Sequence, residues 1–384
     1  MVSRTVKMNS AKPVYLLASR LAKVFIGILL IRGITEYGDS TFLSNYLFFN
    51  STILSLSFIL GLSSEELFII LNKDREKVNL HNIFLTHAAI TFLLGCLIWP
   101  LINREINNNG VQILLLVLVV AFVLEKSITA IFISKKDYSN IFILTIISNI
   151  FRCILLYVAI FYDNVTLFLF WYLIAGFLYY FAFQFIYGGG VEIKKIFEVK
   201  VYLRVLRGVL TTYFFYSLVR VAVLYFFRIN LVSANQEIYT YFELHWSLVE
   251  NYGSLFILFV SQIYLSEIES EPNDYIDDKK YLNKYLFPFA AGLIIFALCR
   301  FVILQTLYGN AYLALSDELL LSVPSLILKF SSMMFFHRLI RRIKWKVVIV
   351  ALVQAVFLIS LPVMQITIED LGLMLLVFNS LEFL

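Results

Sequence analysis

The sequence predicts an all-α integral membrane protein of about twelve transmembrane helices, set in two six-helix bundles around a central cavity. Three observations predict it. Apolar residues make up 61% of the chain and charged residues only 15%, against roughly half and a quarter in ordinary globular domains. The apolar residues gather in twelve stretches, most of them near the roughly 20 residues that a bilayer-crossing helix needs. The basic residues between the stretches fall on alternate connections, as the Lys/Arg asymmetry of membrane topology requires.

A basic N-terminal segment leads into the first two stretches, 17–31 and 41–61. The first lacks a small-residue cleavage site, so it reads as a retained helix and not as a signal peptide. Stretches 82–102, 111–133, 141–161 and 167–187 complete the first half. The longest polar interruption near the middle, 188–208, opens with Gly188 to Gly190. It then sets Val191, Ile193, Ile196, Val199 and Leu203 among charges, a pattern that suits an amphipathic helix on the cytoplasmic surface. Stretches 209–229, 238–265, 285–307, 318–336, 346–364 and 369–384 follow, the last of them short. The expected division is therefore a bundle over 1–187, a cytoplasmic linker over 188–208 and a second bundle over 209–384. Repeated halves of this kind place a substrate site between them in many transporters. Lys126 and Lys329 each lie nine residues before the next basic residue at the inner end of the fourth and tenth stretches, an echo consistent with such a repeat.

With the N-terminus in the cytoplasm, the inner segments carry Arg4, Lys7, Lys12, Arg20 and Lys23, then Lys73, Arg75, Lys77, Lys135 and Lys136. In the second half they carry Lys194, Lys195, Lys200, Arg204, Arg207, Lys279, Lys280, Lys284, Arg338, Arg341, Arg342, Lys344 and Lys346. Only Arg32, Arg104 and Arg228 fall on outer segments. Both termini are thus expected in the cytoplasm, and the net charge of +5 follows from topology and does not point to nucleic acid. The outer segments 103–110, 162–166, 230–237, 308–317 and 365–368 are too short to hold a catalytic domain. No Gly-rich phosphate loop, metalloprotease His-Glu pair or serine-nucleophile motif is present, so the chain is expected not to be an enzyme. Glu36 and Asp39 form an acidic pair without the external domain of a membrane glycosyltransferase. Cys96, Cys153 and Cys299 lie within stretches at no metal-ligand spacing, and neither a metal nor another cofactor is expected.

Five cations, Lys126, Arg152, Arg220, Arg300 and Lys329, lie inside the stretches. A charge at bilayer depth is costly and usually faces a protein interior or a water-filled pathway. All five share one sign, which points to an anionic substrate. In the seventh stretch Tyr213, Ser217 and Arg220 fall at i, i+4 and i+7 and so share one helix face, where arginine can grip phosphate oxygens bidentately. In the eighth, Glu243, Ser247, Glu250 and Ser254 form a polar stripe. Glu250, with Glu243 above it, is a candidate proton or cation site, and a static ion pair from Glu250 to Arg220 is the alternative. Ser44, Ser51 and Ser55 form a milder stripe in the second stretch. His245 and Trp246 are expected at the membrane interface. Glu125 neighbours Lys126 in sequence but points elsewhere on the helix and is not its automatic partner.

Two local patterns carry a family resemblance. One is Ala22-Lys23-Val24-Phe25-Ile26-Gly27 with Arg32-Gly33, Tyr37-Gly38 and Gly61-Leu62; the other is Leu307-Tyr308-Gly309-Asn310-Ala311-Tyr312. In these, and in its length, span count and mid-chain linker, the chain resembles the O-antigen (Wzx-type) flippases, the polysaccharide branch of the multidrug/oligosaccharidyl-lipid/polysaccharide exporter superfamily. The acidic run Ser63-Ser64-Glu65-Glu66 departs from the pattern. The resemblance implies movement of undecaprenyl-diphosphate-linked oligosaccharide, an O-antigen or capsule repeat unit, across a bacterial inner membrane by alternating access. It implies that Arg220, Arg152, Arg300, Lys126 and Lys329 attract the diphosphate. It also implies proton or sodium antiport, contact with membrane lipid, and a polysaccharide polymerase and chain-length regulator as partners. A membrane O-antigen polymerase, which would carry a large external loop, and a multidrug antiporter, which would favour acidic cavity residues, are the alternatives.

Overall fold

Twelve apolar stretches in the sequence become helices wherever they are described. The computed structural model describes residues 14–61, 80–102, 109–135, 137–187, 206, 212–252, 278–328, 344–361 and 365–381, and every regular element among them is helical. The first half holds α1 (Val14–Tyr37), α2 (Ser40–Leu60), α3 (Leu80–Ile102), α4 (Asn109–Ser134), α5 (Tyr138–Phe161) and α6 (Val165–Tyr187). The second half holds α7 (Thr212–Ala234), α8 (Gln236–Trp246) with a π-helical turn over Ser247–Tyr252, α9 (Asp278–Leu298) and α10 (Arg300–Leu307). It continues with α11 (Asn310–Leu328), α12 (Lys344–Ser360) and α13 (Asp370–Ser380). The linker 188–208, apart from Leu206, lies outside the described residues.

Five of the described helices are long and apolar enough to cross a membrane: Ser40–Leu60, Ile113–Ile133, Tyr138–Phe161, Val165–Tyr187 and Asn310–Leu328. Large apolar side chains on them point outward, among them Ile154, Tyr157, Phe161, Phe181 and Phe185. Outward apolar surface on this scale belongs to a protein whose solvent is lipid. The chain is a multi-pass membrane protein.

Three connections differ from the sequence expectation. The outer segment expected over 230–237 is reduced to Asn235, whose side chain accepts from the backbone N–H groups of Glu237 (3.0 Å) and Ile238 (3.1 Å) and so caps α8. The stretch 285–307 is not one straight helix: Phe289–Leu298 and Arg300–Leu307 meet at 73°. Neither proline nor glycine stands at that break. Instead Arg300 Nη1 donates to the Ala297 carbonyl at 3.2 Å, a side chain taking over a carbonyl of the broken ladder. The segment expected as loop over 308–317 instead opens α11 with a 3-10 helix, Asn310–Leu315.

The chain forms two compact units, one of Met1–Gly27 with Leu56–Val209 and one of Ile28–Ser55 with Leu210–Leu384. In the first unit α6 is the central helix, packed against α4 and α5. A Cβ on Gly176 would lie 2.7 Å from the Ala121 carbonyl oxygen and 3.0 Å from the Ala121 methyl, so glycine permits the close approach of α4 and α6. At the cytoplasm-facing end expected from topology, Asp137 ties the α4–α5 turn together. It accepts from the Tyr187 hydroxyl at 2.9 Å and from Asn140 Nδ2 at 2.8 Å, and Lys135 Nζ lies 3.6 Å from the Tyr187 ring centre. Burial holds the Lys135 ammonium below the usual lysine range, partly opposed by Asp137. In the second unit α7 packs along α12 and against α8, and Gln354 Nε2 joins α12 to α13 through the Phe378 carbonyl at 2.9 Å.

Candidate functional site

In the first unit the apolar helices carry a buried polar seam. On α5, Thr145, Ser148, Asn149 and Arg152 recur at i, i+3, i+4 and i+7, the spacing of a single helix face. That face meets α6 in antiparallel register. The Thr145 and Tyr179 hydroxyls are 3.2 Å apart, and two turns along, the Arg152 guanidinium lies 4.5 Å from the Trp171 ring centre and 5.9 Å from that of Phe168. From α4, Phe122 meets Tyr172 edge-on at 5.2 Å, and Lys126 Nζ sits 5.0 Å from the Phe122 ring. Both Lys126 and Arg152 are half-buried. The seam thus surrounds its cations with ring faces, an arrangement worth more as water is excluded.

The same seam holds an ion pair. Lys23 Nζ of α1 donates to Glu125 Oε1 at 3.1 Å. The lysine side chain is 47% exposed and the glutamate side chain 4%, so the carboxylate is held in the interior by a cation that reaches in from the surface. Glu125 therefore points away from Lys126 as expected. Its partner is a residue that sequence reasoning had counted with the cytoplasmic segment.

The second unit holds a chain of buried hydrogen bonds along α11, where Glu318, Ser322 and Ser325 recur at i, i+4 and i+7. Arg220 Nη2 of α7 donates to Asn379 Oδ1 at 3.4 Å, Asn379 Nδ2 donates to Ser325 Oγ at 2.6 Å, and the guanidinium lies 5.0 Å from the Phe378 ring. The Ser322 hydroxyl donates to the Glu318 carbonyl at 3.0 Å and pairs with His245 Nε2. Glu318 Oε2 accepts the Gly372 N–H at 2.9 Å. His245 is buried in this network.

Glu243 is also buried, in a two-bonded pair with Arg228. Arg228 Nε and Nη2 donate to Glu243 Oε1 and Oε2, the second at 3.3 Å. Arg228 is thus not an outer-segment charge. It sits in α7 between α8 side chains, 5.5 Å from the Trp246 ring. Nearby, the Tyr239 hydroxyl pairs with Ser51 Oγ at 3.1 Å, so the serine stripe of α2 packs against α8, with Ser44 and Ser55 buried as well. Arg300 stands apart from this network. Its guanidinium reaches Asp317, itself largely exposed, at 3.7 Å and lies 4.4 Å from the Phe301 ring. Tyr213 and Ser217 lie on α7 and Glu250 in the π-helical turn, but their side chains lie outside the described residues, as does Lys329.

The two motifs of the family resemblance meet in this unit. Arg32 Nη1 donates to the Gln305 carbonyl at 3.3 Å, and its Nε is 3.2 Å from Glu36 Oε2. Gly309 has φ 87° and ψ 176°, a region essentially reserved for glycine, and a Cβ there would stand 2.9 Å from Arg32 Nη1. Gly309→Ala is expected to destabilise the protein by about 1–3 kcal/mol through this backbone strain. Thermal unfolding in detergent measures the loss. Adding Arg32→Ala relieves the contact but not the strain, so it should restore only part of the stability.

No protein-family model and no curated protein matches the chain. Solved structures do. A multidrug resistance MATE family transporter of the MOP superfamily, in an outward-facing conformation, aligns with a TM-score of 0.61 at 14% identity over 97% of this chain and 92% of that one. A MOP superfamily transporter from Pyrococcus furiosus Vc1 (DSM3638), described as having a binding pocket of reverse polarity that suggests a different function, aligns at 0.61 and 13% over the same shares. A MATE protein in complex with Br-NRF aligns at 0.51 and 12%, again over 97% and 92%. The fold is therefore the all-α, twelve-helix fold of the MATE transporters.

Proposed function

We propose that the protein is a flippase carrying undecaprenyl-diphosphate-linked oligosaccharide, an O-antigen or capsule repeat unit, across a bacterial inner membrane by ion-coupled alternating access. Both termini are in the cytoplasm. One observation supports the reading most. The buried carboxylates Glu125, Glu243 and Glu318 are held by Lys23, Arg228 and the Gly372 N–H, whereas Arg152 and Arg220 are set among aromatic rings, Arg220 also against an amide oxygen. A polar interior whose carboxylates are already engaged, beside arginines whose planar forks can grip an oxyanion, suits an anion better than a cation. In this reading Arg152, Lys126, Arg220, Arg300 and Lys329 attract the diphosphate, Tyr213 and Ser217 line the path, and Glu250 serves the coupling ion. A polymerase and a chain-length regulator act on the exported unit.

Multidrug antiport is the second reading, and one observation favours it. Among the described residues Glu318 is held by a backbone N–H and not by a cation, which would suit a site for a cationic drug. The two separate in cells. Deleting the gene should cause lipid-linked oligosaccharide to accumulate on the cytoplasmic leaflet, and re-expression should clear it. Loss of drug resistance without such accumulation would favour the antiporter.

A further inference from the structure

The seam of the first unit contains two buried donors that nothing among the described residues uses. Asn149 is 4% exposed and Trp171 8%, and neither Asn149 Nδ2 nor Trp171 Nε1 has a hydrogen-bond partner. Buried polar groups are nearly always satisfied, and those that are not call for an explanation. The two belong to one place. Thr145 pairs with Tyr179 and Arg152 with Trp171 across the α5–α6 contact, and Asn149 lies on the same α5 face one turn before Arg152. Trp171 and Tyr172 have ring centres 4.0 Å apart, and Tyr172 continues through Phe122 to Lys126. Two N–H donors and half-buried cations at Arg152 and Lys126 therefore line one seam, with buried rings packed between them.

That combination suits a ligand with several oxygen acceptors and an anionic group. Amide and indole N–H groups take the oxygens of a sugar, and the guanidinium takes a phosphoryl oxygen. We propose that Asn149 and Trp171 read the sugar next to the diphosphate of the transported lipid, with Arg152 on the phosphoryl group beside it. The assignment rests on the flippase reading and adds to it the residues that recognise sugar as distinct from anion.

The test compares two probes on the full-length protein in nanodiscs: undecaprenyl diphosphate, and the same lipid carrying one N-acetylglucosamine. Wild type should bind the glycosylated lipid roughly tenfold more tightly, the effect of two hydrogen bonds of ordinary net strength. Trp171→Phe keeps the ring and removes the N–H; Asn149→Leu keeps the volume and removes the amide. Together they should bring the two lipids to within about twofold of each other while binding of undecaprenyl diphosphate stays unchanged. Equal binding by wild type, or a preference retained in a double variant whose unfolding midpoint is unchanged, overturns the sugar assignment alone. Failure of wild type to bind either lipid overturns the flippase reading and the assignment with it.

Discussion

Glu243→Gln should lower stability by about 3–5 kcal/mol, because it leaves the Arg228 guanidinium buried without its carboxylate. The two side chains share two hydrogen bonds inside the second unit, and both are buried. Removing one partner leaves the desolvation penalty of the other uncompensated, whereas removing both with apolar residues of similar volume is often neutral or stabilising. Arg228→Met with Glu243→Leu should therefore recover most of what Glu243→Gln loses. Thermal unfolding of the detergent-solubilised protein measures both. The pair also bears on the ion-coupling role expected for Glu243 from the sequence. A Glu243→Gln protein of unchanged stability whose transport no longer depends on the ion gradient would favour a coupling role over a static pair.

Arg220→Ala should abolish export of lipid-linked oligosaccharide while the protein still inserts. Arg220 is tied to α13 by the Asn379 amide and the Phe378 ring, and Asn379 is in turn held by Ser325 of α11. The guanidinium is thus positioned by three helices of one unit. Lysine would keep the charge but lose the planar fork and the ring stacking. Arg220→Lys should therefore slow export by about ten- to a hundredfold, the range of a lost charge-assisted hydrogen bond. Surface polysaccharide and the membrane level of the variant, measured together, check this. Normal polysaccharide in Arg220→Ala would remove Arg220 from the transport path.

What was legible in the sequence was set by the bilayer. A span has a required length and composition, so α6 over 165–187 lies within two residues of the stretch read at 167–187. The basic connections follow from the same constraint. Legibility ended wherever a helix meets another helix. Glu125 could be separated from Lys126 by helix geometry, but its partner Lys23 lies 102 residues away, a distance that only tertiary packing closes. Arg228 and Glu243 face each other across the α7–α8 hairpin, and their register depends on a one-residue turn at Asn235. The asparagine followed by Gln236 and Glu237 is itself a helix-start signal, and reading it would have carried the helix past 229 and set Arg228 well inside it. The polar stripes Thr145 to Arg152, at i, i+3, i+4 and i+7, and Glu318 to Ser325, at i, i+4 and i+7, were present in the sequence but hidden by the weight given to charged residues alone. The 73° bend at Cys299 and Arg300 had no proline or glycine to announce it; the arginine side chain bonds a carbonyl at the break. The resemblance motifs at Arg32-Gly33 and Tyr308-Gly309 were visible, but not that they touch.

The most direct measurement of the central claim is translocation by the purified protein in proteoliposomes. Fluorescent undecaprenyl-diphosphate-linked oligosaccharide is placed in one leaflet and quenched from outside, in parallel with uptake of the cationic dye ethidium under the same proton or sodium gradient. The flippase account predicts gradient-dependent movement of the lipid-linked oligosaccharide, lost in Arg220→Ala, with no ethidium transport above protein-free liposomes. Gradient-driven ethidium transport with a stationary lipid-linked oligosaccharide would contradict it.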